Sequence, residues 1–155
     1  MPNRRLLDFL QLGAIICVAG LLSACASRGF GTDLPKPVGI TIIQPGPDLS
    51  PKLAAFSGIW EGKWDGVLPT RLIVERINAT SAQVVYIWGA DRQGRFKEGW
   101  HRNIAKVVPG RKIEFGGAGA PLFIFTISKS GESISGERRY HGHINIVTMK
   151  KIGSQ

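Results

Sequence analysis

With 155 residues, 20 basic against 11 acidic side chains and a formal net charge of +9, the chain has room for one packed domain and not for two. Its cysteines are Cys17 and Cys25; Cys17 lies in an apolar N-terminal run, so a chain that sheds this run can form no internal disulfide and must rely on its core. The excess of positive charge points toward anionic partners.

Residues 1–24 read as an export leader. Arg4 and Arg5 precede the mostly apolar run Phe9 to Leu22, which is shorter than the ~20 residues needed to span a bilayer as a helix and fits the hydrophobic region of a secretory signal. The following Leu22-Ser23-Ala24-Cys25 resembles the lipobox of bacterial lipoproteins. That resemblance implies cleavage before Cys25, acylation of Cys25 and an anchored, non-spanning protein; several acyl chains make such anchoring stable. Ala26 and Ser27 follow, with no aspartate at the position that retains lipoproteins in the inner membrane of enteric bacteria. In a Gram-negative host the expected address is the outer membrane, facing the periplasm. Loss of residues 1–24 removes Arg4, Arg5 and Asp8 and leaves a net charge of +8.

Residues 25–53 are expected to form the lipidated cysteine and a tether. Pro35, Pro37, Pro45, Pro47 and Pro51, with Gly29, Gly31, Gly39 and Gly46, oppose a long helix and regular strand. Within this stretch Val38 to Gln44 is apolar and β-branched, which suits an edge strand added to the protein's own sheet or a segment docking on a partner.

Residues 54–155 carry a period-two pattern throughout. Thr70 to Asn78 places Thr70, Leu72, Val74 and Arg76 on one face; Ser81 to Gly89 alternates Ala82, Val84, Tyr86 and Trp88 against Gln83, Val85 and Ile87. A short hairpin loop joins them. Five further short segments follow, divided by tight turns, and no 3.6-residue period interrupts them. The expected fold is all-β: an antiparallel up-and-down meander of seven or eight strands, closed as a small barrel or folded as a two-layer sandwich.

The stretch FSGIWEGKWDG, Phe56 to Gly66, sets aromatic rings and glycines on alternate positions. Gly58, Gly62 and Gly66 would each cost a helix about 1 kcal/mol, whereas a coiled strand beside bulky rings needs them. This is the expected first strand, with Trp60 and Trp64 in the interior. Its Gly58-Ile59-Trp60 resembles the G-x-W signature of lipocalins and related calycin barrels. The resemblance implies that Trp60 plugs the closed end and that a late basic residue packs over it, with Arg138, Arg139 and Lys150 as candidates. The domain is shorter than a typical lipocalin, which argues against a roomy interior.

The chemistry-bearing residues are few. His141 and His143 have a spacing that on one strand would direct both rings to one face, a weak metal site, but Gly142 between them suggests a bend. Neither a nucleophile elbow nor a phosphate-binding glycine loop is present, and Gly116 to Pro121 leads into a strand. Glu61 with Glu75, and Glu132 with Glu137, are the conceivable carboxylate pairs, more simply read as solvated faces. No enzyme activity and no cofactor are expected. Arg92, Arg95, Lys97 and Arg102 cluster with Trp88, Phe96 and Trp100 around an expected long hairpin, suited to anionic headgroups or polymers; an exported chain meets no genome, so nucleic acid is not an expected partner.

Two functions fit. One is a binding module for an apolar or anionic envelope molecule, its cavity walled by Tyr86, Trp88, Phe123 and Phe125 beside Trp60 and Trp64, with the basic hairpin at the rim. The other is a solid barrel that contacts another envelope protein or a cell-wall polymer.

Overall fold

The computed structural model describes residues 34–91, 93–94 and 97–153. The expected leader, Cys25, the first part of the expected tether, and Arg92 and Arg95 lie outside the described residues. One short helix, α1 (Pro51–Ala54), precedes eight strands: β1 (Gly58–Trp64), β2 (Leu68–Ile77), β3 (Ser81–Trp88), β4 (Gly99–Val108), β5 (Lys112–Gly116), β6 (Leu122–Ile127), β7 (Ser133–Tyr140) and β8 (His143–Gly153). Each strand pairs antiparallel with the next, and β8 returns to β1, so the meander closes into a barrel and not a sandwich.

Alternation places Trp60, Leu72, Val84, Ile113, Phe125, Ile134 and Met149 in the interior. On β1 the rings of Trp60 and Trp64 point inward with Gly62 between them, as the alternating stretch requires. A β-carbon on Gly62 would lie 2.6 Å from the Thr148 carbonyl oxygen and 2.7 Å from Val147 Cγ2, and one on Gly136 would lie 2.6 Å from Phe125 Cε1 and 2.7 Å from Val147 Cγ1. The two glycines thus leave a slot that Val147 fills, and the small barrel closes around it.

One end is stoppered. Trp60 is fully buried and its Nε1 donates to the Phe56 carbonyl at 2.7 Å, while Leu53 and Ala55 pack against the same core. The cation over the indole is Lys151, its Nζ 5.1 Å from the ring centroid and 3.2 Å from the Ala55 carbonyl that it donates to. This corrects the expectation of Arg138, Arg139 or Lys150. In the β1–β8 register Lys151 stands opposite Trp60, while Lys150 stands opposite Glu61. Burial lowers the Lys151 pKa.

A second irregularity corrects the reading of β2. Between Val74 and Arg76 the register slips, so that Gln83 faces Arg76 and Ala82 faces Ile77. The bulge leaves Arg76 exposed and turns Ile77 into the core, which spares the interior a charge.

From Leu34 onward the stretch expected as a tether is a strap on the outer wall. It is not an edge strand, because a closed barrel offers no edge. Ile73, Val85 and Ile87 form an apolar outer face, and Leu34, Ile40 and Ile42 cover it. The bulge supplies the anchorage: the Ile43 N–H donates to the Glu75 carbonyl at 2.7 Å, and the Glu75 carboxylate takes two hydrogen bonds from Arg102, at 2.8 and 3.0 Å. The same guanidinium donates to the Gly39 carbonyl at 3.0 Å. Burial pushes the Glu75 pKa up, but the Arg102 hydrogen bonds and charge, with donors from Thr41 and Gln83, outweigh it and hold the group below its ordinary value of 4.5. A carboxylate depressed in this way contributes stability that is present above its unfolded pKa and is lost as pH falls through the folded one. Glu75→Ala is therefore expected to cost about 2 kcal/mol and to speed amide exchange at Ile43 while the β6–β7 amides stay protected. In the parent chain the same strap amides lose protection as pH drops below 4.5; unchanged protection in both cases would remove this pair from its anchoring role.

Candidate functional site

The strand directions place residues 65–67, 89–91, 93–94, 97–98, 117–121 and 141–142 at the end opposite Trp60. There the barrel holds an open cup of about 1130 Å³. Its floor is a layer of rings. Tyr86 is central, 4.6 Å from Phe123 and 5.7 Å from Trp88 between centroids, and its hydroxyl accepts a hydrogen bond from Trp64 Nε1 at 2.9 Å. Phe115 stacks on Phe123 at 5.1 Å. Trp88 lies flat over Gly99, where a β-carbon would meet the indole at 2.5 Å, and its Nε1 donates to the Lys97 carbonyl at 2.9 Å. The indole is thereby fixed as one wall of the cup.

Of the six aromatic residues expected at a ligand site, Trp64, Tyr86, Trp88 and Phe123 line the cup. Trp60 and Phe125 are fully buried beneath it. The barrel is therefore packed in its lower half and open in its upper half, which corrects the expectation that a domain of this length lacks a roomy interior.

The polar lining carries both signs. Lys63, His101 and Arg138 meet Asp65 and Asp91 around the mouth, with Asn145 and Gln93 between. Burial lowers the pKa of His101 from its ordinary 6.5, so at neutral pH the ring between Tyr86 and Trp88 is uncharged. Burial raises the Tyr86 pKa against the opposing influence of Thr70, Trp64 and the Arg138 charge. One step below His101 on the inner face of β4, Asn103 keeps its Nδ2 buried with no protein partner, a donor that solvent or a bound molecule must satisfy.

Of the basic residues expected together, the two that are described, Lys97 and Arg102, are separated. Lys97 is exposed beside the mouth, whereas Arg102 points from the outer wall to Glu75 and the strap. The histidine pair is also divided. His141 and Gly142 form the two-residue turn between Tyr140 and His143, so the two imidazoles do not share a strand face, and no cluster of three or more His, Cys, Asp or Glu side chains occurs among the described residues. Glu61 is bound by Arg71 and Glu137 by Arg139, so these carboxylates serve the outer wall. Arg138, Asn145 and Asp65 escaped the sequence reading as cavity residues. A signal existed: on β7 the alternation Ile134, Gly136, Arg138 puts the arginine on the inward face.

Fold and cup together define a small closed eight-stranded barrel with an aromatic-floored, mixed-charge mouth. In comparison with known proteins, the chain matches no family model, no curated protein and no solved structure. No helix among the described residues is long and apolar enough to cross a membrane.

Proposed function

We propose that this chain is a lipid-anchored envelope lipoprotein whose lipocalin-like barrel is a non-enzymatic binding module for an apolar or anionic envelope molecule. The observation that carries the reading is the cup itself: four large rings surround a cavity of about 1130 Å³ at one end, while the other end is packed solid. A cavity of that size with an apolar floor and polar groups gathered at its mouth suits a small or elongated organic ligand. The lipocalin kinship is supported by Gly58-Ile59-Trp60 at the start of β1 and by the Lys151 ammonium over Trp60. The anchor is supported by the lipobox-like residues before Cys25. An outer-membrane, periplasm-facing site follows from the same motif in a Gram-negative host. The filled lower half favours the second reading, a largely solid barrel that contacts another envelope component.

Native mass spectrometry of the chain from Ala26, which keeps every described residue, tests the first reading after incubation with an envelope lipid extract. Added mass that vanishes on denaturation is expected. A bare mass under both conditions would transfer the assignment to the solid-barrel reading. For the anchor, the full chain is expected in the membrane fraction and Cys25→Ser in the soluble fraction; equal partitioning of the two would remove Cys25 from that role.

A further inference from the structure

Arg71, Arg102 and Arg139 all sit on the outer wall, and each is paired with a glutamate: Glu61, Glu75 and Glu137 respectively. Arg138 differs in both respects. It follows Ile134 and Gly136 on the inner face of β7, lines the cup, and takes part in no ion pair within 4.0 Å among the described residues. Phe123 stands beside it in the β6–β7 register, and Trp64 and Tyr86 line the same cup. A charge turned toward such surroundings costs desolvation free energy that nothing within the fold offsets as an ion pair would.

The guanidinium is nonetheless held in place. Nη1 donates to Asn145 Oδ1 at 2.9 Å, and Asn145 stands directly opposite Arg138 in the β7–β8 register. Asn145 Nδ2 donates in turn to Asp65 Oδ2 at 2.5 Å, and Asp65 Oδ1 accepts from the Ile146 N–H at 3.0 Å. The amide therefore stands between the arginine and the nearest acid in this relay, orienting the cation without neutralising it. Tyr140 flanks the guanidinium, 5.6 Å from Cζ to the ring centroid. An arginine has five N–H donors in a planar fork matched to carboxylate and phosphate oxygens, and the asparagine occupies one of them. The arrangement is that of a receptor arm fixed from behind with its fork toward the cavity.

Building on the cavity reading above, we infer that the cup selects amphiphiles ending in an acidic head, a carboxylate or a phosphate monoester, with the head on Arg138 and the chain against Trp64, Tyr86, Trp88 and Phe123. The rings supply most of the apolar contact. Arg138 supplies the discrimination between an acid and a neutral isostere of equal length.

The test uses the chain from Ala26 and dodecanoate, dodecyl phosphate and dodecanol, each below its aggregation limit, with inorganic phosphate as the head alone. Binding is read by calorimetry. The two acids are expected to bind at least about tenfold more tightly than dodecanol, as charge-assisted hydrogen bonds imply, and inorganic phosphate not to bind. In Arg138→Gln the acid preference is expected to collapse to about onefold with dodecanol affinity unchanged, and in Arg138→Lys to fall between. Because Arg138 makes no ion pair and forfeits only the Asn145 hydrogen bond and the Tyr140 contact, Arg138→Gln should stay folded with a melting temperature within a few degrees of the parent, about the worth of one hydrogen bond, which separates lost recognition from lost folding. A preference for dodecanoate over dodecyl phosphate assigns the head as carboxylate, and the reverse as phosphate ester. Equal binding of acids and alcohol, insensitive to Arg138→Gln, would overturn the headgroup assignment and leave the cavity reading standing. Failure of all three chains to bind would overturn both.

Discussion

Trp60→Ala is expected to destabilise the barrel by about 3–5 kcal/mol, the range for removing a large aromatic from a core. For a domain of this size that is a fall in melting temperature of roughly 15 °C or more. Three losses combine. The indole is fully buried against the interior, so its removal opens a cavity that the closed strands cannot collapse to fill. The Phe56 carbonyl loses its 2.7 Å hydrogen bond from Nε1, and Lys151 loses the ring over which its ammonium rests. Trp60→Phe should fall between, since it keeps most of the packing and forfeits the buried N–H donor. Trp88 is the internal comparison: half-buried at the mouth, its alanine variant should cost less than half as much. Equal losses at the two positions in urea denaturation would contradict a barrel plugged at one end and open at the other.

Gly62→Ala is the second large effect, and its sign is less intuitive, because alanine normally improves on glycine within a strand. Here the added methyl would stand 2.6 Å from a backbone oxygen, that of Thr148, which no rotamer change can move. Relief requires β1 and β8 to part, and these are the two strands whose pairing closes the barrel. Overpacking of this kind costs about 1–3 kcal/mol, and the upper end is expected because Val147 is also confined by Gly136 on its other side. Gly46→Ala, whose β-carbon meets nothing within 4 Å, is the control and should leave the urea midpoint unchanged. A neutral Gly62→Ala would mean that the two strands are more loosely joined than their geometry implies.

Much of this architecture is legible from alternation alone. The period-two pattern gives strands, their inner faces and the hairpin order, because side chains on a strand must alternate and one face must be buried. The ring-glycine pattern of β1 is readable for the same reason. What alternation cannot register is a slip in it. The bulge at Glu75 inverts the expected faces of Arg76 and Ile77, and the β1–β8 pairing, which alternation within one strand does not reveal, sets Lys151 opposite Trp60 and Lys150 opposite Glu61. Closure into a barrel is equally silent, since it depends on the meeting of β1 and β8, far apart in the chain. The strap is concealed by its prolines and glycines: its few apolar residues matter only because Ile73, Val85 and Ile87 leave a matching face on the outer wall. Proximity in sequence groups Arg102 with Lys97, but strand alternation sends it outward to Glu75. Arg138 reads as one more cation in a basic chain until its inward position is set beside the outer-wall arginines and their glutamates.

The strap also determines where the upstream chain departs. Leu34 is seated beside Pro69 and Gly89, at the rim of the cup and not at the plugged end. Between Cys25 and Leu34 the fully extended backbone reaches about 30 Å, at ~3.3–3.6 Å per residue. Were Cys25 to carry the proposed acyl anchor, the molecule would be on a short leash tied at its mouth: the plug could swing toward the aqueous side, but the opening could not travel farther from the lipid surface than that leash allows. An amphiphile passing from the bilayer would then cross a gap about the thickness of a membrane's hydrocarbon core. Lengthening residues 26–33 would change that distance without touching the barrel.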